Sequence, residues 1–336
     1  MDKYQIRTDL ATEAIKDSGL VEEEKEINGL ILKRIIVKEE DKRKVSIKPG
    51  MYYTLDTRSI QTHDTDDINN CIDVLSKVIK EIMEYEKIEE SYSGLIVGLG
   101  NINVTPDSLG PLVVDNVIVT RHMFLINPEK VSEGIREISA IAPGVMGTTG
   151  IETFDVIDSL VKKIKFDYII VVDALSSRAI DRVNKTIQVT NTGISPGSGV
   201  GNKRKELSKD TIGIPVIAIG VPTVVDAVTI ANDTIDIIMK YMHSLSNNKE
   251  ITNDIMKENI NKMPLPNEDY RSELFGNVGL LDTMDKRKLI DEILTPMGFN
   301  MIVTPKEVDL DISDLTEVIS KAIDKAVHPI VNWYEN

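Results

Sequence analysis

Apolar and polar positions along the chain fall into short runs that alternate with helical stripes. From Gly29 to Val37 and from Lys44 to Asp56, apolar stretches flank the charged turn Glu39-Glu40-Asp41-Lys42-Arg43, which predicts a β-hairpin or two adjacent strands. Between Asp66 and about Glu89, the spacing of Ile68, Ile72, Leu75, Ile79, Ile82 and Met83 predicts an amphipathic helix. Apolar runs then recur at 95–99, 116–120, 138–145, 168–172 and 215–219, interleaved with helical patterns. That alternation is the mark of a parallel sheet covered on both faces. Residues 149–164 place Phe154, Ile157, Leu160, Val161 and Ile164 on one face, with acids near the start and lysines near the end, and predict a crossover helix. A helix over 224–242, a strand at 301–304 and a closing helix over 313–327 complete the pattern. The expected fold class is α/β, a mostly parallel sheet flanked by helices with an additional smaller α/β or helical subdomain.

Residues 1–27 are rich in Asp, Glu and Lys with scattered apolar positions, which suggests a late-docking N-terminal segment and leaves room for a removable propeptide. The α/β catalytic domain is expected over 10–243 and 299–336. The polar stretch 244–298, with intermittent helical patterns, is expected to be an inserted, mainly helical subdomain.

Composition narrows the function classes. The 336 residues are 41% hydrophobic but only 4% aromatic, so Ile, Val, Leu and Met must fill the core. Against 54 acidic residues stand 39 basic ones, a formal charge of −15, which argues against direct contact with nucleic acid. Cys71 is the single cysteine, so no internal disulfide or cysteine-rich metal site can form, and its helical setting favours a packed thiol over a nucleophile. No signal-like core and no run of about 18 apolar residues is present, so no membrane association is expected.

Candidate chemistry collects where predicted strands end, because ligands of open α/β sheets sit at the carboxyl edges of the strands. One such place is Gly98 to Pro111, containing Asp107. A second is the glycine-rich turn Pro143 to Gly150 before the crossover helix. The third is Val171-Val172-Asp173-Ala174-Leu175, where an acid follows an apolar strand. Gly98-Leu99-Gly100-Asn101-Ile102-Asn103 has Asn103 where a dinucleotide fingerprint needs its third glycine. The loop from Pro196 to Arg204 lacks the Gly-Lys-Ser/Thr end of a P-loop, so phosphate, peptide backbone and a plain flexible loop all stay open for it.

Asp107 and Asp173, at exits of neighbouring strands, are the acids that one sheet edge would bring together. Two convergent carboxylates can share a proton, one drawing a proton from an attacking water while the other hydrogen-bonds the scissile carbonyl. A lone Asp after a strand is also a common turn former. Candidates for substrate or oxyanion contact are Asn101, the turn residues Gly147, Thr148 and Thr149, and Gly197, Ser198 and Gly199. His63-Asp64-Thr65-Asp66-Asp67 matches no metal spacing, and Asp64 or Thr65 suits a helix cap. No histidine adjoins a serine in a nucleophile elbow.

With these motifs in view the chain resembles the germination proteases of spore-forming bacteria. The resemblance rests on Arg7-Thr8-Asp9-Leu10-Ala11, on Gly98 to Pro111 with Val104-Thr105-Pro106-Asp107, on Ala142 to Thr153, on Asp173-Ala174-Leu175, and on Thr192 to Asn202. It implies an endopeptidase that degrades small acid-soluble spore proteins, acting in the cytoplasm of the forespore and in the spore core. It implies a homotetramer made as a zymogen with propeptide 1–9, self-cleaved between Asp9 and Leu10, in a site similar to the family's substrate motif. The family's two catalytic aspartates carry over onto Asp107 and Asp173, with no cofactor or metal. The same segments also look like the hydrogenase maturation endopeptidases, whose corresponding acids bind nickel with a histidine. No histidine here is placed as a third ligand, and a metal-dependent peptidase using the same acids stays as the alternative, as does a non-catalytic nucleotide- or peptide-binding protein.

Overall fold

The computed structural model describes residues 20–45, 47–195, 205–246, 260, 263–294 and 301–330. Among them the chain divides into two compact units. The larger takes in the residues up to Ser177, Asp181–Val224 and those from Thr304 onward, and the smaller takes in Arg178–Ile180 and Val225–Val303.

The larger unit is built on a mixed sheet. Its strands are β1 (Glu22–Ile27), β2 (Leu30–Val37), β3 (Gly50–Asp56), β4 (Gly94–Gly98), β5 (Ile138–Ile141), β6 (Tyr168–Ser177), β7 (Thr186–Thr190) and β8 (Val216–Asp226), in the order β1-β2-β3-β7-β8-β6-β4-β5. Its longer helices are α1 (Thr65–Tyr85), α2 (Leu109–Asn116), α3 (Thr153–Ile164) and α7 (Val308–Val327). The α/β class with flanking helices is as expected; β4 pairs parallel with β5 and β6, while β1-β2-β3-β7-β8 is antiparallel throughout. The sheet is therefore mixed, with its parallel strands on the side of β4, β5 and β6.

Strand alternation sends side chains to two cores. Ile96, Ile170, Val172, Ile217 and Ile219 face one layer with Leu75 and Ile79 of α1, Leu109 of α2 and Leu315 and Ile319 of α7. Leu95, Val97, Ile169 and Val171 face the other with Ile157 and Val161 of α3. Cys71 lies fully buried in the first core, and burial pushes its thiol up to about 12, which removes it as a nucleophile at neutral pH.

Four local departures from the expected elements have physical reasons. Residues 22–27, expected within a loosely held segment, form β1, because its acids pair across the register with β2. Glu22 and Glu24 reach Lys33 at 2.7 and 3.2 Å, and Glu23 reaches Arg34 at 3.5 Å. The strand expected at 116–120 does not form. There the Ile118 amide donates to Asp324 Oδ1 at 2.9 Å and the Thr120 hydroxyl donates to Arg136 O, so side chains occupy groups that a ladder would use. β5 stops at Ile141, two residues before Pro143, which has no N–H to continue the pairing. β7 lies in a stretch where no element was expected, although Thr186-Ile187-Gln188-Val189-Thr190 carries a period-2 pattern.

In the smaller unit, α4 (Ala227–Ser246) packs with α5 (Glu268–Leu280) and α6 (Thr283–Leu294). Lys286, almost fully buried, bonds Asp236, and β9 (Ile302–Val303) pairs antiparallel with the last two residues of β8. None of the described helices is long and apolar enough to cross a membrane.

Asp324, near the end of α7, is buried in the first core, and burial raises its carboxyl to about 7 against the opposing hydrogen bond from the Ile118 amide. His328 and Arg136 pack on the same segment, the Arg136 amide donating to His328 Nδ1 at 3.2 Å, and burial lowers the imidazole. Because the folded carboxyl holds its proton to higher pH than the unfolded one, its contribution is full below about pH 4 and is lost as pH rises to about 7. Denaturant midpoints for wild type and Asp324→Asn between pH 4.5 and 8 should diverge at up to ~1.4 kcal/mol per pH unit. The substitution should gain relative to wild type as pH rises, and parallel profiles would show that Asp324 does not titrate this way.

Candidate active site

β5, β4 and β6 run parallel, so all three release the chain at one edge of the sheet, and the loops that follow hold the candidate residues. β4 pairs with β6 as far as Gly98 with Val172, and one further bond, Leu99 N to Val172 O at 2.8 Å, closes the ladder. Beyond it the chain leaves the sheet through Gly100 to Val104 into a tight turn, Thr105–Asp107, which runs into α2.

Asp107 sits on that turn. Pro106 fixes the backbone there, the Asp107 amide donates to Val104 O at 2.7 Å, and the Ser108 hydroxyl returns to Thr105 O at 2.8 Å. The Asn101 amide donates to both Asp107 O (3.0 Å) and Asp107 Oδ2 (2.9 Å), so one N–H holds the backbone and the carboxylate of the same residue. From β8 the buried Thr223 hydroxyl donates to Pro106 O at 2.6 Å. The turn packs against β6 and α7, leaving Asp107 half-buried.

Three glycines let these backbones approach. A Cβ on Gly100, where φ is +120°, would stand 2.0 Å from Asp107 O. A Cβ on Gly110 would stand 2.2 Å from Leu99 O and 2.7 Å from Val172 O, and one on Gly98 would meet Gly110 O at 2.1 Å. The glycines that imitate a nucleotide fingerprint are thus accounted for by the packing of the α2 end onto the tips of β4 and β6.

Asp173 is buried and lies within β6, which continues to Ser177 instead of ending at Val172. β8 flanks β6 on its other side, and Gly220 leaves the space that Leu175 fills. Asp173 is nonetheless the first residue past the β4 pairing, so on that flank the sheet ends at it. Alternation puts it on the face of Ile169 and Val171, and its Oδ1 accepts from the Ala174 amide at 2.9 Å.

The other candidates fall in different places. Asn101 is a clamp on Asp107, its Oδ1 accepting from Asn103 N at 3.1 Å. Gly147, Thr148 and Thr149 lie on an exposed one-turn helix after β5, where the amides of Thr148 and Thr149 both go to Val145 O, at 2.9 and 3.1 Å. The amides of Thr148 and Thr149 are therefore occupied within the turn, and a Cβ on Gly147 would meet open space. Gly197, Ser198 and Gly199, like Asp9 and Leu10, lie outside the described residues. Asp64 caps α1 by accepting from Asp66 N at 2.8 Å, and His63 Nδ1 is 2.6 Å from Asp314 Oδ2. Among the described residues no group of three or more His, Cys, Asp or Glu side chains is arranged to hold a metal ion. Thr223, Gly98 and Gly110 were missed by sequence reasoning. The glycines had a visible signal in their clustering, whereas nothing near Thr223 in sequence marks its bond to Pro106.

The molecule is thus a mixed α/β protein with one acid on the loop leaving β4 and another on the adjoining strand. The profile of the germination protease family matches residues 2–336. The chain is 44% identical over 353 residues to a germination protease of Geobacillus sp. (strain WCH70), covering 98% of this chain and 95% of the relative. It is 46% identical, with the same coverage, to germination proteases of Bacillus thuringiensis subsp. konkukian (strain 97-27) and Bacillus cereus (strain 03BB102). The chain belongs to the germination protease family, and its class is that of a peptidase acting on protein.

Gly100→Ala tests the clamp on Asp107. The added methyl cannot coexist with Asp107 O at this close approach of the loop, so peptidase activity should fall by about tenfold or more, one step of ~1.4 kcal/mol in barrier. Unchanged activity in a folded variant would show that Asp107 need not be held by Asn101.

Proposed function

We propose that this chain is an endopeptidase that begins the degradation of small acid-soluble spore proteins during germination, with Asp107 and Asp173 assisting the attack of water. The ionised acid takes a proton from water as its oxygen bonds the scissile carbonyl carbon, and the protonated acid hydrogen-bonds the carbonyl oxygen. Collapse breaks the C–N bond, and the acid that took the water's proton passes it to the departing amine, which leaves neutral. The observation that carries this reading is the position of the two acids. Asp107 is fixed by Asn101 on a turn packed against β6, and Asp173 lies on β6 directly after the last residue paired with β4.

Membership of the family supports the wider reading. The chain is made as a zymogen whose residues 1–9 are removed by self-cleavage between Asp9 and Leu10, it assembles as a homotetramer, and it works in the forespore and spore core. Residues 244–298 add a mainly helical subdomain to the catalytic domain.

A mass-spectrometric time course tests the chemistry. Purified wild type, Asp107→Asn and Asp173→Asn are incubated with a peptide from a small acid-soluble spore protein, with and without chelator. Wild type should cut itself after Asp9 and the peptide after its acidic residue, chelator should change neither, and each substitution should slow both cuts by at least about a thousandfold. Cleavage that survives in both variants sinks the assignment, and chelator sensitivity transfers it to a metallopeptidase.

A further inference from the structure

A cavity of about 650 Å³ opens beside the turn that carries Asp107, between α2 and α7. Thr105 and Ser108, the residues two before and one after Asp107, form its near end. Ser108, Leu112 and Asn116, spaced by four from the cap to the last residue of α2, form one wall. The facing wall is a stripe of α7 from Asp309 through Ile312, Ser313, Thr316 and Ser320 to Lys321. Neither Asp107 nor Asp173 lines the cavity. Its size falls in the range of ligand sites, about 300–1,000 Å³.

We infer that this trough is a substrate subsite, holding an extended stretch of the polypeptide that the enzyme cleaves. The inference rests on the peptidase reading above and adds where the chain being cut is gripped. Length supports it. At ~1.5 Å per residue, α7 rises about 18 Å between Asp309 and Lys321, which matches about five residues of extended chain at ~3.3 Å each. Chemistry supports it too. Leu112 and Ile312 are the trough's apolar residues, and hydroxyls, one amide and the charged Asp309, Glu317 and Lys321 make up the rest of the lining, a mixture suited to peptide groups and small side chains. Thr316 carries a buried hydroxyl with no hydrogen-bond partner among the described residues. Threonine in a helix has two accessible rotamers, so this group can turn to a bound backbone. Of the charged lining residues, Lys321 is paired to Glu317 at 2.6 Å. Continuity with the Asp107 turn picks out the substrate as the occupant over a second copy of the chain.

Ser313 is exposed on the rim, so enlarging it fills the trough without touching the core. The full chain is compared as wild type, Ser313→Ala and Ser313→Trp against peptides lengthened residue by residue on each side of the scissile bond. Ser313→Trp should raise KM about tenfold for peptides long enough to enter the trough, leave kcat within about twofold, and leave the shortest cleaved peptides unaffected. Ser313→Ala, which removes a hydroxyl without filling the trough, should raise KM for the long peptides less than Ser313→Trp does. Fluorescence anisotropy of the longest peptide, labelled and mixed with chain carrying Asp107→Asn, gives a second readout independent of turnover, and adding Ser313→Trp should weaken that binding about tenfold. Equal KM and equal binding at every length overturn the inference, as does an equal loss for short and long peptides. A changed molecular mass in light scattering with unchanged peptide binding also overturns it, by making the trough a contact between copies. Loss of the hydrolytic reading is separate, since it shows as normal turnover in Asp107→Asn.

Discussion

The candidate site depends on how closely the start of α2 can approach the tips of β4 and β6. Two parallel strands end in register, Gly98 beside Val172, and the chain must leave the sheet, turn and start a helix within about ten residues. Gly98, Gly100 and Gly110 make that path possible, since a Cβ on any of them would fall within 2.2 Å of a backbone oxygen. The turn that results is then over-determined by Asn101, Pro106 and Thr223. An acid placed on such a turn loses little freedom when substrate binds, which is the physical meaning of a preorganised group.

The antiparallel half of the sheet has a different task. β1, β2, β3 and β7 lengthen the sheet away from the candidate site and supply β8 with a partner on one side, so that β8 and β6 can run on after β4 has stopped. This is why Asp173 is buried within a strand and also at the point where the sheet narrows. Had β6 ended at Val172, Asp173 would be a loop acid with water on several sides. Inside the strand its side chain has one direction, fixed by the pleat, on the face that carries Ile169 and Val171.

The elements legible in the sequence were those whose pattern is local. α1, α3 and α7 carry apolar stripes at helical spacing, and β4, β6 and β8 are runs of Ile and Val buried on both faces. What could not be read depended on partners far along the chain. The acids of β1 become a strand only opposite Lys33 and Arg34. The stretch 117–120 looks like a strand until Asp324, about two hundred residues later, takes its amide. At the site, motif and strand-exit arguments selected Asp107 and Asp173. They also selected the turn after β5, where the amides of Thr148 and Thr149 are used by a carbonyl three and four residues back, a local bond that a glycine-rich sequence does not announce.

α7 joins these levels. Its inner face, with Leu315, Val318, Ile319, Ala322 and Ile323, fills the core, its first turn is held by Asn184 donating to Asp311 Oδ2 at 2.9 Å, and its last turn is held through Asp324. Its outer stripe walls the trough beside Asp107. A helix fixed at both ends and packed along its length transmits displacement as a rigid body, because a close-packed interior has few voids to absorb it. Core substitutions on α7 should therefore alter peptide binding by moving the wall, with stability changing in step. Only a rim residue such as Ser313 separates the two, since it faces the trough without bearing on the core, and that separation makes it the informative position on the helix.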